Sequence, residues 1–385
     1  MGLKRGHRAR PFEWVVEKGI FAVSLSAIAV IFLIFVFIGR EAVPIFLGQE
    51  DSAALREVIP VADLDKVPRE QLRAYLGLDA DKFAELEKEK DKETLKTLME
   101  IREEAFKELP AAVRTDPDAK VNTTEWRYLL GAHQWSGYDK PEYIWQPIGN
   151  IHKYNIMPLI IGSLKTTLVG LAFAVPLALG AAIYVSQLAR PRVKEWLKPA
   201  IELLSGIPSV VIGTFALLAL ATFLQSVFGY EVRLNAFVAG IALSFAVIPL
   251  IFSIAEDALT SVPRSYTQAA LALGASPWQN AWQIVLPAAL PGVFAAVVLG
   301  FGRAIGETMV VLMVTSASVM SWSVFDGTRS ITATIAAEMA EAVAGGHHYR
   351  ILFMLGAILF AVTFVTNMIG DIIIHRLKGQ LEGRK

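Results

Sequence analysis

The stretch QAALALGASPWQNAWQIVLP, residues 268–287, decides the fold, because it is a polar, helix-forming segment between two long apolar runs. Its first residues predict a short helix that ends at Gly274. Residues 278–285 predict a second helix, which Pro287 terminates before the next apolar run. Two short helices joined at a glycine, on the water side of a bilayer, form a peg. Such a peg suits insertion into a groove on another protein rather than chemistry inside the lipid.

The composition of the whole chain is that of a membrane protein. It has 385 residues, of which 54% are hydrophobic and 19% are charged, and the apolar residues come in long blocks. A soluble domain of this size is less apolar. The formal net charge is zero, so nothing indicates a nucleic-acid partner. The absence of cysteine excludes disulfides, thiolate metal sites and cysteine nucleophiles.

Six apolar stretches are long enough to cross a bilayer, which requires about 20 residues. We therefore predict an all-α polytopic membrane protein with spans at residues 20–38, 158–184, 207–224, 236–254, 292–316 and 351–374. Pro208 and Gly213 interrupt the third span, which is tolerated where neighbouring helices cover the freed backbone groups. The basic N-terminus is typical of a signal peptide. The length of the first span, with no small-residue cleavage site after it, predicts an uncleaved anchor.

Basic residues in the short loops predict the orientation, since they accumulate on the cytoplasmic side of a membrane. With six spans, three basic clusters fall on one side: the N-terminus, the loop with Arg190, Arg192, Lys194 and Lys198, and the tail with Arg376, Lys378, Arg384 and Lys385. Both termini and the peg are therefore predicted to be cytoplasmic.

The same pattern divides the chain into four parts. Residues 1–39 hold the N-terminus and the first span, and residues 40–155 form a polar insert on the outer side. Residues 156–375 form a five-helix core that contains the peg in a loop at residues 257–290, and residues 376–385 form a cytoplasmic tail.

The insert has two different halves. Residues 81–109 predict an amphipathic helix or a helical hairpin from the apolar residues Phe83, Leu86, Leu95, Leu98, Ile101, Ala105 and Leu109. The other half is rich in aromatic residues, namely Trp126, Tyr128, Trp135, Tyr138, Tyr143 and Trp145. These fit either an interfacial belt or local core where the chain returns to the membrane, or a docking face for an extracytoplasmic partner.

The fifth span carries the main candidate site, in GFGRAIGETMVV at residues 300–311. Arg303 and Glu307 are four residues apart, which places them on one face of a continuous helix. A charge at the centre of a span costs at least about 2.5 kcal/mol on insertion scales, and it usually faces a bundle interior or a water-filled path. Arg303 can bind a tetrahedral oxyanion, while Glu307 can hold Arg303 in place or accept a proton from the anion.

A purely structural interpretation of these residues is equally open from the sequence. Arg303 and Glu307 could neutralise each other and fix helix packing. Gly302 and Gly306 form a small-residue pair that favours the close approach of another helix.

Other polar residues are weaker candidates. Four of them lie near the outer end of the second span: Ser163, Lys165, Thr166 and Thr167. Lys165 could attract an anion, although such a lysine more often extends to the lipid headgroups. Acidic residues that could line an outer vestibule, or simply be solvated, are Asp257, Asp326, Glu338 and Glu341. His347 and His348 lack further ligands at a suitable spacing for a metal.

The sequence contains no G-x-x-x-x-G-K-[ST] loop, so we expect no ATP binding of that kind. It also shows no nucleophile–base arrangement at a recognisable spacing. We therefore expect that this chain is not an enzyme.

The peg sequence resembles the cytoplasmic coupling loop of ATP-binding-cassette (ABC) importer permeases. That loop has the pattern Glu-Ala-Ala, three residues, Gly, nine residues, then Ile and Leu-Pro. The residues that fit are Ala269, Ala270, Gly274, Ile284, Leu286 and Pro287, and Gln268 stands where the family usually has Glu. The resemblance implies that this loop, centred on Gly274, contacts a separate ATPase.

The segment RAIGETM, residues 303–309, resembles the permeases of phosphate-specific (Pst) importers, and the Met-Val that follows the threonine resembles the PstC-type subunit. SGIPSVVIG at residues 205–213 and NIMPLIIGSLKTTL at residues 155–168 are similar to the same subunit. The resemblance covers the first span and roughly residues 155–385, and it does not extend to the insert. It implies the ABC importer type I permease fold, with a large outer insert between helices 1 and 2.

The same resemblance implies a function and an assembly. The chain would be a phosphate importer permease in the bacterial plasma (inner) membrane, with a translocation path that includes Arg303, Glu307 and Thr308. Its partners would be a second, PstA-type permease, a PstB-type ATPase dimer and an extracytoplasmic phosphate-binding protein. This chain would bind no cofactor, because ATP and Mg²⁺ would bind to the ATPase.

Two other functions stay open on the residues alone. One Arg and one Glu do not distinguish phosphate from another oxyanion, so a permease for sulfate or molybdate is an alternative. The large insert also fits a membrane-bound sensor, although the sequence shows no cytoplasmic signalling domain. An intramembrane hydrolase has only the lone Glu307 in its favour.

Overall fold

The computed structural model describes residues 11–53, 61, 66–76, 83, 92–108, 116–316 and 320–381. Several residues used above lie outside this part of the chain, namely the basic residues before position 11, Leu86, Leu109, Arg384 and Lys385. The side chains of Ala105 and Lys378 also lie outside it.

Within the described residues, six helical segments are long and apolar enough to cross a membrane. They are Val16–Phe46, Met157–Leu188, Ser209–Phe228, Ala236–Thr260, Pro277–Gly306 and His347–Arg376. Each predicted span overlaps one of these segments, so the prediction of six spans is confirmed.

The described residues of the first segment and the insert include four α-helices and one short ribbon. The helices are α1 (Pro11–Phe46), α2 (Arg69–Leu76), α3 (Lys92–Glu108) and α4 (Trp126–Leu130). Strands β1 (Trp145–Gln146) and β2 (Lys153–Tyr154) pair antiparallel, with Trp145 opposite Tyr154. Buried apolar residues of α2 and α3 form a small cluster with Phe83, as the amphipathic pattern predicts.

The first half of the core contains five helices. They are α5 (Met157–Ile183), α6 (Pro191–Leu204), α7 (Ser209–Phe215), α8 (Ala221–Phe228) and α9 (Ala236–Thr260). A π-turn at Tyr184–Leu188 extends α5, and another at Ala216–Leu220 joins α7 to α8. The Asn235 side chain accepts a hydrogen bond from the backbone N–H of Val238 at 3.0 Å, which fixes the start of α9.

The second half of the core contains six helices. They are α10 (Arg264–Ala272), α11 (Pro277–Asn280), α12 (Leu286–Gly306), α13 (Met309–Met313), α14 (Ile331–Glu338) and α15 (His347–Leu381). A π-turn at Ala281–Val285 joins α11 to α12.

Helices α5, α9 and α12 form the centre of the bundle. Gly170 of α5 and Gly240 of α9 face each other, and a Cβ added at Gly240 would lie 3.0 Å from the Gly170 backbone nitrogen. On the other side of α9, Ile251 fills the space that Gly300 of α12 leaves open. Small residues at these crossings let the helix backbones approach closely, which is the usual basis of helix packing in a membrane.

The prediction that Pro287 terminates a helix is wrong. Pro287 is the second residue of α12, in a helical run that continues from Pro277 to Gly306. The π-turn at Ala281–Val285 shifts the hydrogen-bond register, so that the Leu286 N–H bonds to the Ala281 carbonyl five residues back. A proline is tolerated here because it follows directly on a changed register, in the first turn of α12.

Candidate functional site

The fifth span breaks at the predicted site. We expected a helix through residue 316, but α12 ends at Gly306, and Glu307 is extended, with φ −69° and ψ 128°. Arg303 therefore lies in the last helical turn, while Glu307 lies beyond it. The prediction that both residues share one helix face is wrong, because the backbone leaves the helix between them.

Arg303 and Glu307 have different environments. The exposed Arg303 side chain donates a hydrogen bond from Nε to the carbonyl of Ala246 on α9, at 3.3 Å. Glu307 is half-buried, and its backbone carbonyl accepts a hydrogen bond from the hydroxyl of Thr332 on α14 at 3.0 Å. In the described part of the chain, no ion pair joins the two side chains. The guanidinium can therefore present its remaining donors to another group.

The third predicted site residue, Thr308, follows directly in the break. Its hydroxyl donates to the carbonyl of Gly306 at 3.3 Å. Of the predicted glycine pair, Gly302 does face another helix, since an added Cβ would lie 3.3 Å from Oδ1 of Asn367 on α15. Gly306 has open space at the same position, so it marks the end of the helix rather than a helix contact.

The chain after the break packs against the start of α5 through hydroxyl groups, which we call the hydroxyl seam: Ser163, Thr166, Ser316, Thr328, Ser330 and Thr332. The hydroxyl of Ser163 accepts a hydrogen bond from the Ile331 N–H at 2.9 Å and donates to the Leu159 carbonyl at 2.9 Å. The hydroxyls of Ser330 and Thr332 lie 2.9 Å apart. A seam of polar groups therefore runs from α5 to the backbone of Glu307.

The Lys165 side chain does not extend towards lipid headgroups, as such a lysine more often does. Its side chain is 7% exposed, and Nζ donates to the backbone carbonyl of Ser323 at 2.9 Å. The lysine therefore points into the loop that follows the break, and it does not extend to the surface.

A second polar cluster surrounds Glu338 at the end of α14. Its carboxylate accepts hydrogen bonds from Arg329 at 2.9 Å and from the Trp145 indole at 3.1 Å, and His348 lies 3.4 Å away. Burial raises the pKa of Glu338, although the Trp145 and Arg329 contacts oppose that shift. Trp145 and Trp135 are buried, so these two aromatic residues belong to a local core.

Asp257, which the sequence grouped with Glu338, lies at the opposite end of the bundle. It is at the end of α9 next to Lys198, 3.5 Å away. We call this side of the molecule the peg end, and the side that carries the insert the insert end. The grouping of Asp257 with Glu338 was wrong. These residues are far apart in the chain, and the sequence does not show which end of the bundle carries each of them.

The peg end has a buried carboxylate that the sequence analysis missed. Glu256 of α9 is 1% exposed, and its side chain accepts hydrogen bonds from Lys194 at 2.8 Å, Lys198 at 2.6 Å and Thr260 at 3.1 Å. The hydrogen bond to Glu256 raises the pKa of Lys198. These contacts fasten α6 to α9 one turn before the end of α9 at Thr260. The available signal was a lone Glu at the end of an apolar helix, with a basic loop nearby in the predicted topology.

The peg itself has the predicted form. Helix α10 ends before Gly274, whose φ of 87° lies in the left-handed region that favours glycine. Ser276 and Gln279 then form a reciprocal capping box that starts α11, with distances of 2.9 and 3.2 Å. At the tip, Leu273 is 91% exposed and Trp278 is 57% exposed.

The predicted coupling residues do not all lie on the surface of this loop. Gln268, Ala269 and Pro287 are exposed, Ile284 and Leu286 are half-buried, and Ala270 is buried. Ala270 is therefore not available for a contact with a partner, whereas the large side chains Leu273 and Trp278 are the most exposed apolar residues of the loop. The sequence analysis had not assigned a role to these two residues.

Comparison with known proteins gives one family and a set of related chains. Residues 174–379, more than half of the chain, match the family described as "Binding-protein-dependent transport system inner membrane component". The chain is 35% identical to the Probable ABC transporter permease protein YqgH of Bacillus subtilis over 222 residues, which are 57% of this chain and 72% of that protein.

Two further relatives carry the name Phosphate transport system permease protein PstC. The protein from Pasteurella multocida is 34% identical over 265 residues, covering 63% of this chain and 80% of the relative. The protein from Xylella fastidiosa (strain 9a5c) is 33% identical over 254 residues, covering 60% and 77%.

Proposed function

The chain belongs to the family of inner membrane components of binding-protein-dependent transport systems, and from that premise we propose that it is the PstC-type permease subunit of an ATP-driven phosphate importer. The observation that carries the choice of phosphate is the similarity to the two PstC proteins over more than three quarters of their lengths. The polar residues in the broken fifth span provide the chemistry that an oxyanion requires.

Arg303 is the residue that we propose binds the anion on the translocation path. A guanidinium is always charged, and its planar donors match two oxygens of a tetrahedral anion. Only Nε is used in the contact with Ala246. Glu307 would accept a hydrogen bond from the P–OH group of hydrogen phosphate, and the hydroxyl of Thr308 would donate to a phosphate oxygen. The break supports this role, since irregular backbone at membrane depth is tolerated where it lines a cavity or is buried in protein.

The peg supports a separate motor. Exposed apolar side chains such as Leu273 and Trp278 are typical of a protein contact, and the loop carries them on two rigid short helices. We propose that the peg binds one subunit of a PstB-type ATPase dimer, which binds ATP and Mg²⁺, while this chain binds neither. A PstA-type permease and an extracytoplasmic phosphate-binding protein complete the importer. Both termini lie in the cytoplasm of a bacterial cell.

Coupling would then follow the contacts around the Glu256 cluster. When the ATPase dimer closes, it moves the peg, and the peg is continuous with α12, which carries Arg303. Helix α9 moves with it, because α9 leads into the peg and is fastened to α6 by Glu256. Rocking of α9 and α12 around the path is the simplest way to alternate access to Arg303.

The test is phosphate uptake by the complete importer in liposomes, with the second permease, the ATPase dimer and the binding protein present. Wild type should import phosphate in an ATP-dependent manner, and excess sulfate or molybdate should not compete. Arg303→Ala should reduce uptake roughly 100-fold or more, since it removes the charged donor that compensates the anion. Arg303→Lys should retain part of the activity.

The matched control is Arg233→Ala, because Arg233 is also an exposed arginine that donates to a backbone carbonyl, that of Leu217 at 2.8 Å. It should keep wild-type uptake. Wild-type uptake by Arg303→Ala in an assembled importer would contradict the proposed path. Import of sulfate or molybdate in place of phosphate would contradict the proposed substrate.

A further inference from the structure

Within the part of the chain that the structure describes, three hydroxyl groups of the hydroxyl seam are buried without a hydrogen-bond partner. They belong to Thr166 of α5 and to Ser316 and Thr328 of the chain after the break. Thr166 and Thr328 are each 2% exposed. Leaving a buried donor unpaired costs about 1–3 kcal/mol, so a group of them in one place requires an explanation.

The contacts place the three residues that carry these hydroxyls near one another. Gly162 lets the following loop approach α5, since a Cβ there would lie 2.8 Å from the Thr328 hydroxyl and 2.3 Å from the Arg329 carbonyl. Thr166 is one helical turn along the same face of α5, with Cβ atoms at this spacing about 6 Å apart. The backbone N–H of Ser316 donates to the Thr328 carbonyl at 3.2 Å, which holds Ser316 next to Thr328.

Two cationic side chains near this group, Arg329 and Lys165, have N–H donors that could bind an anion. The Nε–H of Arg329 is buried with no partner among the described residues, while its terminal nitrogen contacts Glu338 at 2.9 Å. The ammonium of Lys165 donates to one backbone carbonyl, which uses one of its three N–H bonds. On the acidic side, Asp326 accepts a hydrogen bond from Ser321, and Glu338 is held by Arg329 and Trp145. Unused N–H donors of two cationic side chains therefore lie near the three hydroxyls.

The seam also leads to the proposed path. Thr332 links it to the carbonyl of Glu307 at 3.0 Å, and Ser330 lies 2.9 Å from Thr332. The unpaired hydroxyls are at the insert end of this connection, and Arg303 lies beyond Glu307 on the side of the peg. An anion that enters from the insert end would meet the hydroxyls before it meets Arg303.

We propose that Thr166, Ser316 and Thr328 form a binding station for hydrogen phosphate, where their hydroxyls donate to the anion before it reaches Arg303. The proposal rests on the proposed function and adds a second binding site to it. Hydroxyl groups suit hydrogen phosphate because each can donate to a phosphate oxygen or accept from the P–OH group. Bringing the anion to these donors satisfies the groups that are unpaired in its absence.

The experiment compares Thr166→Val and Thr328→Val in the complete importer in liposomes. Valine keeps the shape of threonine and removes only the hydroxyl. Phosphate turnover is measured at a saturating concentration of phosphate-loaded binding protein, and the thermal unfolding midpoint is measured on the same preparations. Each variant should lower turnover about tenfold, the effect of losing one hydrogen bond to a charged group. Its unfolding midpoint should stay unchanged or rise, because an unpaired buried donor is removed.

Two further variants separate binding from packing. Thr334→Val removes a buried hydroxyl that already has a partner, the Ser330 carbonyl at 2.9 Å, so it should lower the unfolding midpoint and keep wild-type turnover. Thr166→Ser retains the hydroxyl and should keep turnover near the wild-type rate. Wild-type turnover in both valine variants would overturn the station, and so would losses that simply follow the unfolding midpoint.

The proposed function fails independently of this inference. Wild-type uptake of phosphate tests the function, whereas the ratio of variant to wild type tests the station. If wild type imports sulfate instead, the same ratios are measured with sulfate. A variant turnover equal to that of wild type would then overturn the station as well. A tenfold lower turnover would retain it as a site for a different oxyanion.

Discussion

The two ends of the helix bundle reverse the usual arrangement of polar and apolar groups. At the peg end, the large apolar side chains of Leu273 and Trp278 are exposed on a short helical loop. At the insert end, hydroxyl and charged groups such as Thr166, Thr328 and Glu338 are buried between helices. Each arrangement is costly in a protein that acts alone.

The difference indicates two kinds of interaction. Exposed apolar area is stabilised when another protein covers it, so the peg end is the place for a macromolecular partner. Buried polar groups in a membrane protein usually mark a path for an ion or a polar substrate. The Glu256 cluster belongs to neither kind, since its buried charge is paired with two lysines of the same chain. The following three predictions test this contrast.

Leu273→Asp should have the largest effect, because it places a charge at the tip of the apolar surface. We expect binding of the ATPase to weaken about 30-fold, which corresponds to a central contact residue of an interface worth about 2 kcal/mol. The measurement is ATPase binding to the purified permease pair, together with ATP-driven uptake. The fold should be unaffected, since Leu273 is 91% exposed.

Val343→Asp is the matched control at the insert end, where Val343 is 79% exposed in the loop before α15. It should not change ATPase binding. If Leu273→Asp binds the ATPase as tightly as wild type, the peg tip is not the contact and the contrast between the two ends loses its main support.

Glu256→Gln should have an intermediate effect, on stability and on coupling. It removes the charge that Lys194 and Lys198 share, and these lysines are about one third exposed, so water compensates part of the loss. We expect the free energy of unfolding to fall by about 1–2 kcal/mol. Denaturant unfolding in detergent measures this, and the ratio of phosphate imported to ATP hydrolysed measures coupling.

Glu195→Gln provides the comparison, because Glu195 is an exposed glutamate on the same helix α6. It should match wild type in both measurements. Equal stability of Glu256→Gln and Glu195→Gln would show that the cluster does not fasten α6 to α9.

His152→Asn should have the smallest effect, at the insert end and only at low pH. Burial, together with the nearby His347, holds the pKa of His152 below its ordinary value of 6.5. As the pH falls through 6.5, the unfolded chain takes up a proton before the folded chain does, so His152 lowers the stability of wild type in acid. The variant cannot take up that proton, and its stability should depend less on pH.

The measurement is the thermal unfolding midpoint of wild type and variant between about pH 8 and about pH 5. Glu338 acts in the opposite direction, since its raised pKa contributes stability that is present at low pH and lost as the pH rises. Glu338 is present in both proteins, so its contribution cancels when the midpoint of His152→Asn is subtracted from that of wild type. His375→Asn, on an exposed position of α15, should follow wild type. Identical pH profiles of wild type and His152→Asn would contradict the prediction.

The elements that depend on local pattern were predictable from the sequence. Long apolar runs identify spans because a bilayer requires about 20 apolar residues in a row. Gly274 identifies the turn of the peg because it is a glycine between two helical patterns, and its φ of 87° confirms that reason. The helical pattern in the insert likewise corresponds to α3 (Lys92–Glu108).

The elements that depend on neighbours were not predictable in the same way. Hydropathy averaged over a window of residues shows no interruption at Glu307, since most of the residues around it are apolar. At the break, Thr332, which lies 25 residues later in α14, donates to the carbonyl of Glu307, so a distant residue satisfies a backbone group that the helix leaves free. Similarly, Pro287 continues a helix because a π-turn precedes it, and Lys165 is buried because the Ser323 carbonyl accepts its hydrogen bond.

The sequence by itself therefore determined an all-α membrane protein with six spans, a peg loop centred on Gly274 and a charged pair in the fifth span. Only the tertiary structure decided that α12 ends between Arg303 and Glu307, that Glu256 fastens α6 to α9, and that unpaired hydroxyls gather at the insert end. The reason is physical. Hydropathy and turn propensity act over a few residues, whereas the pairing of a buried polar group depends on which distant group the fold brings within about 3 Å.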